Sequence, residues 1–303
     1  MGNGFIPKSI QIVYFSGTGG AKRAAGAFMQ KFGTKGIPVR NFAIDRSSAY
    51  LKKNAQAPSF DPDSLTLLLY AVHAFDAPSP IYGWIEGTDF PADTNFAVVS
   101  VSGGGEVWPN TGCRSLVIKA LEKKGCRVTY DAMLVMPSNM NPSSNDDAAM
   151  WVLNAMPVKV QKIIDELLAG RNLRTGYKLD PFRAFATKQE KKTAYKFADS
   201  VQVNPTCTGC GWCAENCPQN NIRMENGRPL LGKECVVCFR CIYGCPAHAL
   251  ASKNALVIQQ GYSIHDVEKR MQGKVLKPIR ECCRGVLWKG VRKYLAEAFP
   301  DAQ

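Results

Sequence analysis

Two runs of cysteine constrain this chain more than any other feature: CTGCGWCAENCP from Cys207 and CVVCFRCIYGCP from Cys235 to Pro246. Each has the spacing C-x2-C-x2-C-x3-C-P, and together they hold eight of the twelve cysteines. Three thiolates two residues apart can wrap the backbone around one cubane iron–sulfur cluster. The longer spacer and the following proline carry the fourth away, and where two such runs share a chain it ligates the other cluster. The spacing therefore assigns Cys207, Cys210, Cys213 and Cys245 to one [4Fe–4S] cluster, and Cys235, Cys238, Cys241 and Cys217 to a second. Paired zinc sites built from C-x2-C units are the alternative, but zinc needs no fourth cysteine followed by proline, twice over. Disulfides fit less well, because three cysteines two apart cannot all pair locally at good geometry.

The chain has 303 residues, room for about two domains. At 46% hydrophobic and 21% charged residues it has the composition of a soluble globular protein. The start, MGNGFIPK, lacks the apolar core of a signal peptide, and Ile6 breaks the myristoylation pattern. The longest apolar run, near Leu65 to Ala74, suits a buried strand and is too short to span a bilayer. These features, with thiolates that need a reducing compartment, predict a cytoplasmic protein of an anaerobe or microaerophile. The net charge of +13 is uneven: residues 1–150 carry 14 Lys/Arg and 12 Asp/Glu, residues 151–303 carry 24 and 13. Two ligated clusters would offset about four of those charges. The remainder predicts an acidic redox partner protein. No nucleic-acid-binding motif accompanies the spread basic residues, so nucleic acid is not an expected partner.

In the first half, Gln11 to Phe15 reads as a buried strand, followed at once by Ser16-Gly17-Thr18-Gly19-Gly20. Ala21 to Phe32 is helical by pattern, with Ala24, Ala25, Phe28, Met29 and Phe32 on its apolar side. Strand, glycine-rich turn and helix make an anion site, because helix N-terminal N–H groups point at the turn and glycines let a phosphate approach. The turn lacks the G-K-[ST] ending of a Walker loop and does not continue into G-x-G-x-x-G, so a purely structural turn is the bland alternative. Further strands are predicted at Pro38 to Ile44, Leu65 to Val72, Asn95 to Val101 and Arg127 to Met136. Helices are predicted at Ser47 to Asn54, Ser79 to Glu86, Cys113 to Lys124 and Asp146 to Leu168, the last interrupted by a new start at Pro157. Five β/α alternations predict an open, doubly wound parallel sheet with its ligand beyond the carboxyl ends of the strands. The loops expected there are His73 to Pro78, Ser102-Gly103-Gly104-Gly105-Glu106-Val107-Trp108 and Pro137 to Asn139. An aromatic ring, a glycine backbone and an indole suit a flat aromatic ligand.

Residues 5 to about 150 resemble a flavodoxin, with FSGTGG at Phe15 to Gly20 in the place of the FMN phosphate loop. Together with the cysteine runs, MPSN at Met136 to Asn139 and CPQNNI at Cys217 to Ile222, the chain up to about Leu250 resembles the flavodoxin–ferredoxin fusion proteins of anaerobes. The resemblance implies an α/β flavodoxin-like sheet of order 2-1-3-4-5, then a small α+β two-cluster ferredoxin-like domain. It implies FMN and two [4Fe–4S] clusters as cofactors. Ser16, Gly17, Thr18, Gly19 and Gly20 would hold the phosphate, and Ala74, Phe75, and Ser102 through Glu106 would flank the isoalloxazine. The family loop continues Gly-Asn-Thr where this chain has Gly19-Gly20-Ala21, and Lys22 and Arg23 are the nearby charges able to compensate. The expected domains are residues 5–170, a packing segment 171–198, a cluster domain 199–255 and a helical extension 256–303.

In the connecting stretch Leu179 to Ser200, Phe182, Phe185, Tyr195 and Phe197 are expected to pack while Lys188, Lys191, Lys192 and Lys196 face solvent. Trp212, Phe239 and Tyr243 are placed to shield clusters from water. Val286 to Phe299 is amphipathic: it packs on its own domain or lies on a membrane surface, and peripheral membrane contact stays open. Cys113, Cys126, Cys282 and Cys283 are expected to be buried small residues. Electron transfer between flavin, clusters and a protein partner is the function implied. A flavin-dependent iron–sulfur oxidoreductase acting on a small substrate is the alternative, and a docking module with little flavin is a third; homo-oligomers remain open.

Overall fold

The computed structural model describes residues 5–52, 58–176, 187, 189, 194 and 196–302. Five strands form a parallel sheet: β1 (Ser9–Phe15), β2 (Val39–Ala43), β3 (Ser64–Ala71), β4 (Asn95–Ser102) and β5 (Arg127–Val135). Their order is β2-β1-β3-β4-β5, as expected for a flavodoxin-like fold. Val13 sits level with Phe42 on one side and Leu68 on the other, so β1 is the strand at which the winding reverses. The long apolar runs of β3 and β4 are buried almost end to end, as central strands covered on both faces must be.

Alternate residues of the strands feed two cores. Ile10, Ile12, Leu67 and Leu69 pack against α1 (Gly20–Thr34) and α5 (Asp146–Leu168). Val13, Phe15, Leu68 and Tyr70 face α3 (Ser79–Glu86) and α4 (Ser115–Lys123). Between β2 and β3, α2 (Ser48–Leu51) is a single turn in which the Ser47 hydroxyl accepts from the Tyr50 N–H. Asn54, the expected end of that helix, lies outside the described residues. Two expectations fail here. Met29 is 40% exposed rather than on the apolar face of α1. Helix α5 runs through Pro157 without a new start, since Leu153, Ala155, Met156 and Val160 are all buried around it and their packing outweighs one lost backbone bond.

The second half is smaller. β6 (Val201–Val203) pairs antiparallel with β9 (Leu250–Ser252), and β7 (Ile222–Glu225) forms a hairpin with β8 (Arg228–Leu231). Asn226 and Gly227 at the hairpin tip both have positive φ, 48° and 73°, the tight turn whose twist matches that of the strands. One-turn helices α6 (Trp212–Glu215) and α7 (Arg240–Tyr243) each lie within a cysteine run. In the connecting stretch, Phe182, Phe185, Tyr195, Lys188, Lys191 and Lys192 lie outside the described residues, while Phe197 is buried. The chain then returns to the first domain through α8 (Ile264–Met271), α9 (Ile279–Cys282) and α10 (Lys289–Ala298). Val291, Tyr294 and Leu295 of α10 pack with Ala148, Val152 and Ala155 of α5, so the apolar face of the C-terminal helix is spent on the protein. Cys282 and Cys283 are buried in the same cluster, and Cys113 and Cys126 are buried in the sheet domain. Among the described residues, no helix is long and apolar enough to cross a membrane.

Candidate functional site

The loop Ser16 to Gly20 leaves β1 at its carboxyl end and enters α1 through Gly19, whose φ of 100° needs a residue without a side chain. Helix α1 has no side-chain cap at its start, so its first N–H groups face the loop. The Ser16 hydroxyl is buried with no hydrogen-bond partner, and Thr18 Oγ1 accepts from Asn139 Nδ2 at 2.8 Å. A cavity of about 440 Å³ opens beside these groups, lined by Ser16, Gly17, Thr18 and Gly20, by Ala71 to Ala74, by Ser102 and Gly103, and by Met136 to Met140. An unpartnered hydroxyl, a glycine backbone and a helix N-terminus around one cavity fit the phosphate of a bound ligand.

The opposite wall comes from the second half of the chain: Lys196, Phe197, Cys235, Val236, Val237, Phe239, Asn254, Leu256 and Tyr262. The two halves are fastened at this point. Arg240, between Cys238 and Cys241, donates to the carbonyls of Ser16 (2.5 Å), Gly17 (3.0 Å) and Asn216 (2.9 Å) and pairs with Asp45 at 2.7 Å. A methyl group on Gly17 would come within 2.6 Å of the Cys238 carbonyl oxygen, so only glycine allows the cluster loop this close. His73 Nδ1 lies 2.9 Å from the Val236 carbonyl, which can only accept, so the ring carries its proton on Nδ1.

Several expected residues stand elsewhere. Gly19 lines a separate groove on the far side of the loop, together with Lys22 and Arg23. Arg23 is engaged by Glu268, and among the described residues Lys196 is a cation that lines the cavity. Phe75 does not line the cavity: it and Ala74 adopt left-handed φ of 57° and 52° in a turn closed by His73 and Asp76. Gly104, Gly105, Glu106 and Trp108 are also outside it. Gly105 presses against Gly290 at the start of α10, where an added Cβ would sit 2.7 Å from the backbone. Glu106 pairs at 2.6 Å with Arg114, which is wholly buried and also bonds Asp131 at 2.7 Å. Trp108 is 61% exposed. The buried arginine thus pulls the glycine loop away from the flat-ligand position that its sequence suggested. Sequence reasoning missed Arg240, Lys196, Leu256 and Tyr262. Arg240 alone carried a signal, as a cation between two cluster cysteines.

Seven of these eight cysteines are linked by thiols that lie close to one another. Burial raises the Cys213 thiol, and Cys245 and Cys207 push the same way. Burial pushes Cys238 up to about 12, opposed by Arg240 and reinforced by Cys217 and Cys235. Cys241 is raised well above the ordinary thiol range by burial, then by Cys238, Cys235, Cys217 and Cys213. Cys210, fully exposed, is lowered by the N–H of Trp212 and the hydroxyl of Thr208. Cys213 thus neighbours Cys207 and Cys245, and Cys238 and Cys241 both neighbour Cys217 and Cys235, with Cys213 also acting on Cys241. Buried thiols held this high become thiolates only beside a metal's positive charge. Backbone N–H groups already point at sulfur from Asn221 to Cys217 (3.3 Å), Val237 to Cys235 (3.5 Å) and Ala249 to Cys245 (3.3 Å). Phe239 and Trp212 pack in one apolar cluster with these cysteines, and Phe239 meets Phe197 edge-on at 5.3 Å.

The description "4Fe-4S binding domain" matches residues 201–223, a span that contains the first cysteine run and β7 up to Arg223. The chain joins a sheet of flavodoxin-like strand order to a segment similar to a 4Fe–4S binding domain. The flavodoxin-like half has neighbours among solved structures. A flavodoxin from the domain Archaea is 13% identical, with 52% of this chain and 98% of that one covered and a TM-score of 0.33. The general stress protein 14 of Treponema denticola, solved in complex with FMN, is 8% identical over 52% and 99% at a TM-score of 0.36. Rubredoxin oxygen:oxidoreductase from the anaerobe Desulfovibrio gigas is 12% identical over 55% of this chain and 38% of its own, at 0.35. At these values the fold assignment stands on the strand order rather than on the neighbours. No curated protein matches the chain.

Proposed function

We propose that this protein transfers electrons between FMN, two [4Fe–4S] clusters and a redox protein partner in anaerobic metabolism. One observation carries the proposal: the cavity beside the phosphate loop shares a wall with the cysteine loop Cys235 to Phe239. FMN supplies one- or two-electron exchange when bound, and each cluster takes one electron at a time.

Within this proposal Ser16, Gly17, Thr18 and Gly20 hold the phosphate, with Asn139 fixing the Thr18 hydroxyl. Ala74, Ser102 and Gly103 border the ring. Phe197, Phe239 and Tyr262 keep water from the space between ring and cysteines. Cys217, Cys235, Cys238 and Cys241 hold the cluster next to the flavin, and Cys207, Cys210, Cys213 and Cys245 hold the outer one. Exposed Cys210 marks where a partner approaches. The proposed domains are 5–170 and 199–255, with the extension beyond 256 seated on the first.

Anaerobic purification tests this directly. The expected result is a flavin spectrum and about eight iron atoms per chain. Four iron atoms, or zinc, would refute the two-cluster assignment. Full clusters with no flavin after adding FMN would turn the first domain into a docking module.

A further inference from the structure

The C-terminal extension carries charge and exposed apolar surface that electron transfer within the chain does not use. We propose that the turn bearing Val286 and Leu287, with the cations beside it, docks on an anionic lipid surface. Val286 is 86% exposed and Leu287 73%, in the 3-10 turn Val286–Trp288 just before α10. Isolated exposed apolar residues are ordinary, but two adjacent ones on a short turn flanked by cations are not. Adjacent aliphatic residues on a projecting turn suit insertion at the headgroup level better than a fit into a rigid protein pocket.

The charge around this turn fits the same occupant. Residues 274–293 hold seven Lys/Arg and one acidic residue, Glu281. Arg280, Arg284, Arg292 and Lys293 line a recess of about 550 Å³ beside the turn. Arg292 is fixed there by donating to the carbonyls of Cys283 (2.5 Å) and Gly285 (2.8 Å). A fixed cluster of cations beside an apolar tip is complementary to phosphodiester headgroups over an acyl boundary. The apolar face of α10 is not involved, since Val291, Tyr294 and Leu295 are buried on α5.

Flotation of the full chain with vesicles tests the proposal, using phosphatidylcholine alone and phosphatidylcholine with phosphatidylglycerol in equal parts. The expected result is binding to the anionic vesicles only, weakening as salt rises. Arg284→Gln and Lys293→Gln should each lower the partition about fivefold. The pair Val286→Asp and Leu287→Asp should lower it about tenfold or more, with an unchanged circular dichroism spectrum. Equal partition onto neutral vesicles, no flotation, or flotation indifferent to these variants would overturn it. Retention on an acidic protein resin without vesicle binding would also overturn it, and would assign the face to a protein partner.

Discussion

Arg240→Ala is the most informative single change in this chain. The guanidinium bonds three carbonyls and one carboxylate, and the side chains of Arg240 and Asp45 are only 19% and 9% exposed. Removing one partner of a buried ion pair costs about 3–5 kcal/mol, because the other charge is left stranded. The carbonyl bonds are broken in the same event, and terms in one network do not add, so about 3–5 kcal/mol is the expected total. At about 1.4 kcal/mol per tenfold, the joint between the phosphate loop and the cysteine loop should open about two to three and a half orders of magnitude more often. Arg240→Lys keeps the charge beside Asp45 but loses the planar fork, and should fall between, at about 1–3 kcal/mol. Hydrogen exchange at residues 15–20 of the cluster-loaded chain reads the opening, and urea unfolding reads the global cost. Asp45→Ala in the Arg240→Ala background should cost less than in the wild type, since the carboxylate is no longer left unpaired. Wild-type protection at the phosphate loop in Arg240→Ala would show that the guanidinium does not fasten the halves.

Gly17→Ala should loosen the same joint by about 1–3 kcal/mol, because its methyl meets the Cys238 backbone; an unchanged unfolding midpoint would contradict this. Cys213→Ala should remove the outer cluster's iron and leave flavin binding intact, whereas Cys238→Ala should lower both, since Cys238 belongs to the loop that walls the cavity; iron and flavin assays on the same preparations decide it. Burial tends to raise Glu297, but its hydrogen bond and charge contact with Lys159 outweigh this and leave its pKa lowered. A depressed carboxylate contributes stability that is present above its unfolded value near 4.5 and is lost as pH falls through the folded value. The α10–α5 contact should therefore weaken in acid, and Glu297→Gln should weaken it at neutral pH and flatten that dependence, both measurable by thermal unfolding against pH.

Strand order was legible because it is written in local pattern. Unbroken apolar runs in β3 and β4 can only be central strands. Ser16 to Gly20 was legible as a strand-to-helix turn because its strand, turn and helix are contiguous. What the sequence did not disclose depends on contacts between distant segments. Ser102 to Trp108 reads as a ligand loop, yet Arg114, buried against Asp131 of β5, draws Glu106 aside while Gly290 of the extension claims Gly105. Tyr262 lines the cavity from a segment with no motif at all. Pro157 is a helix start by local preference and a mid-helix residue in fact, because α5 is buried on both sides of it.

The interdomain wall also bears on the order of the cofactors within the proposed function. The loop Cys235 to Phe239 contributes both sulfur and cavity lining, and it holds Val237 and Phe239 at left-handed φ of 54° and 59°. Two non-glycine residues in that region cost free energy that the surroundings must offset. Burial of Phe239 against Phe197 and the His73 bond to the Val236 carbonyl act on this one loop from opposite sides. Its shape therefore depends on the sheet domain and on the cysteines at once. On the proposed assignment the cluster of Cys217, Cys235, Cys238 and Cys241 lies between the flavin and the rest of the chain. The set with Cys207 and Cys245 meets solvent through Cys210, so electrons would enter and leave the chain at that end.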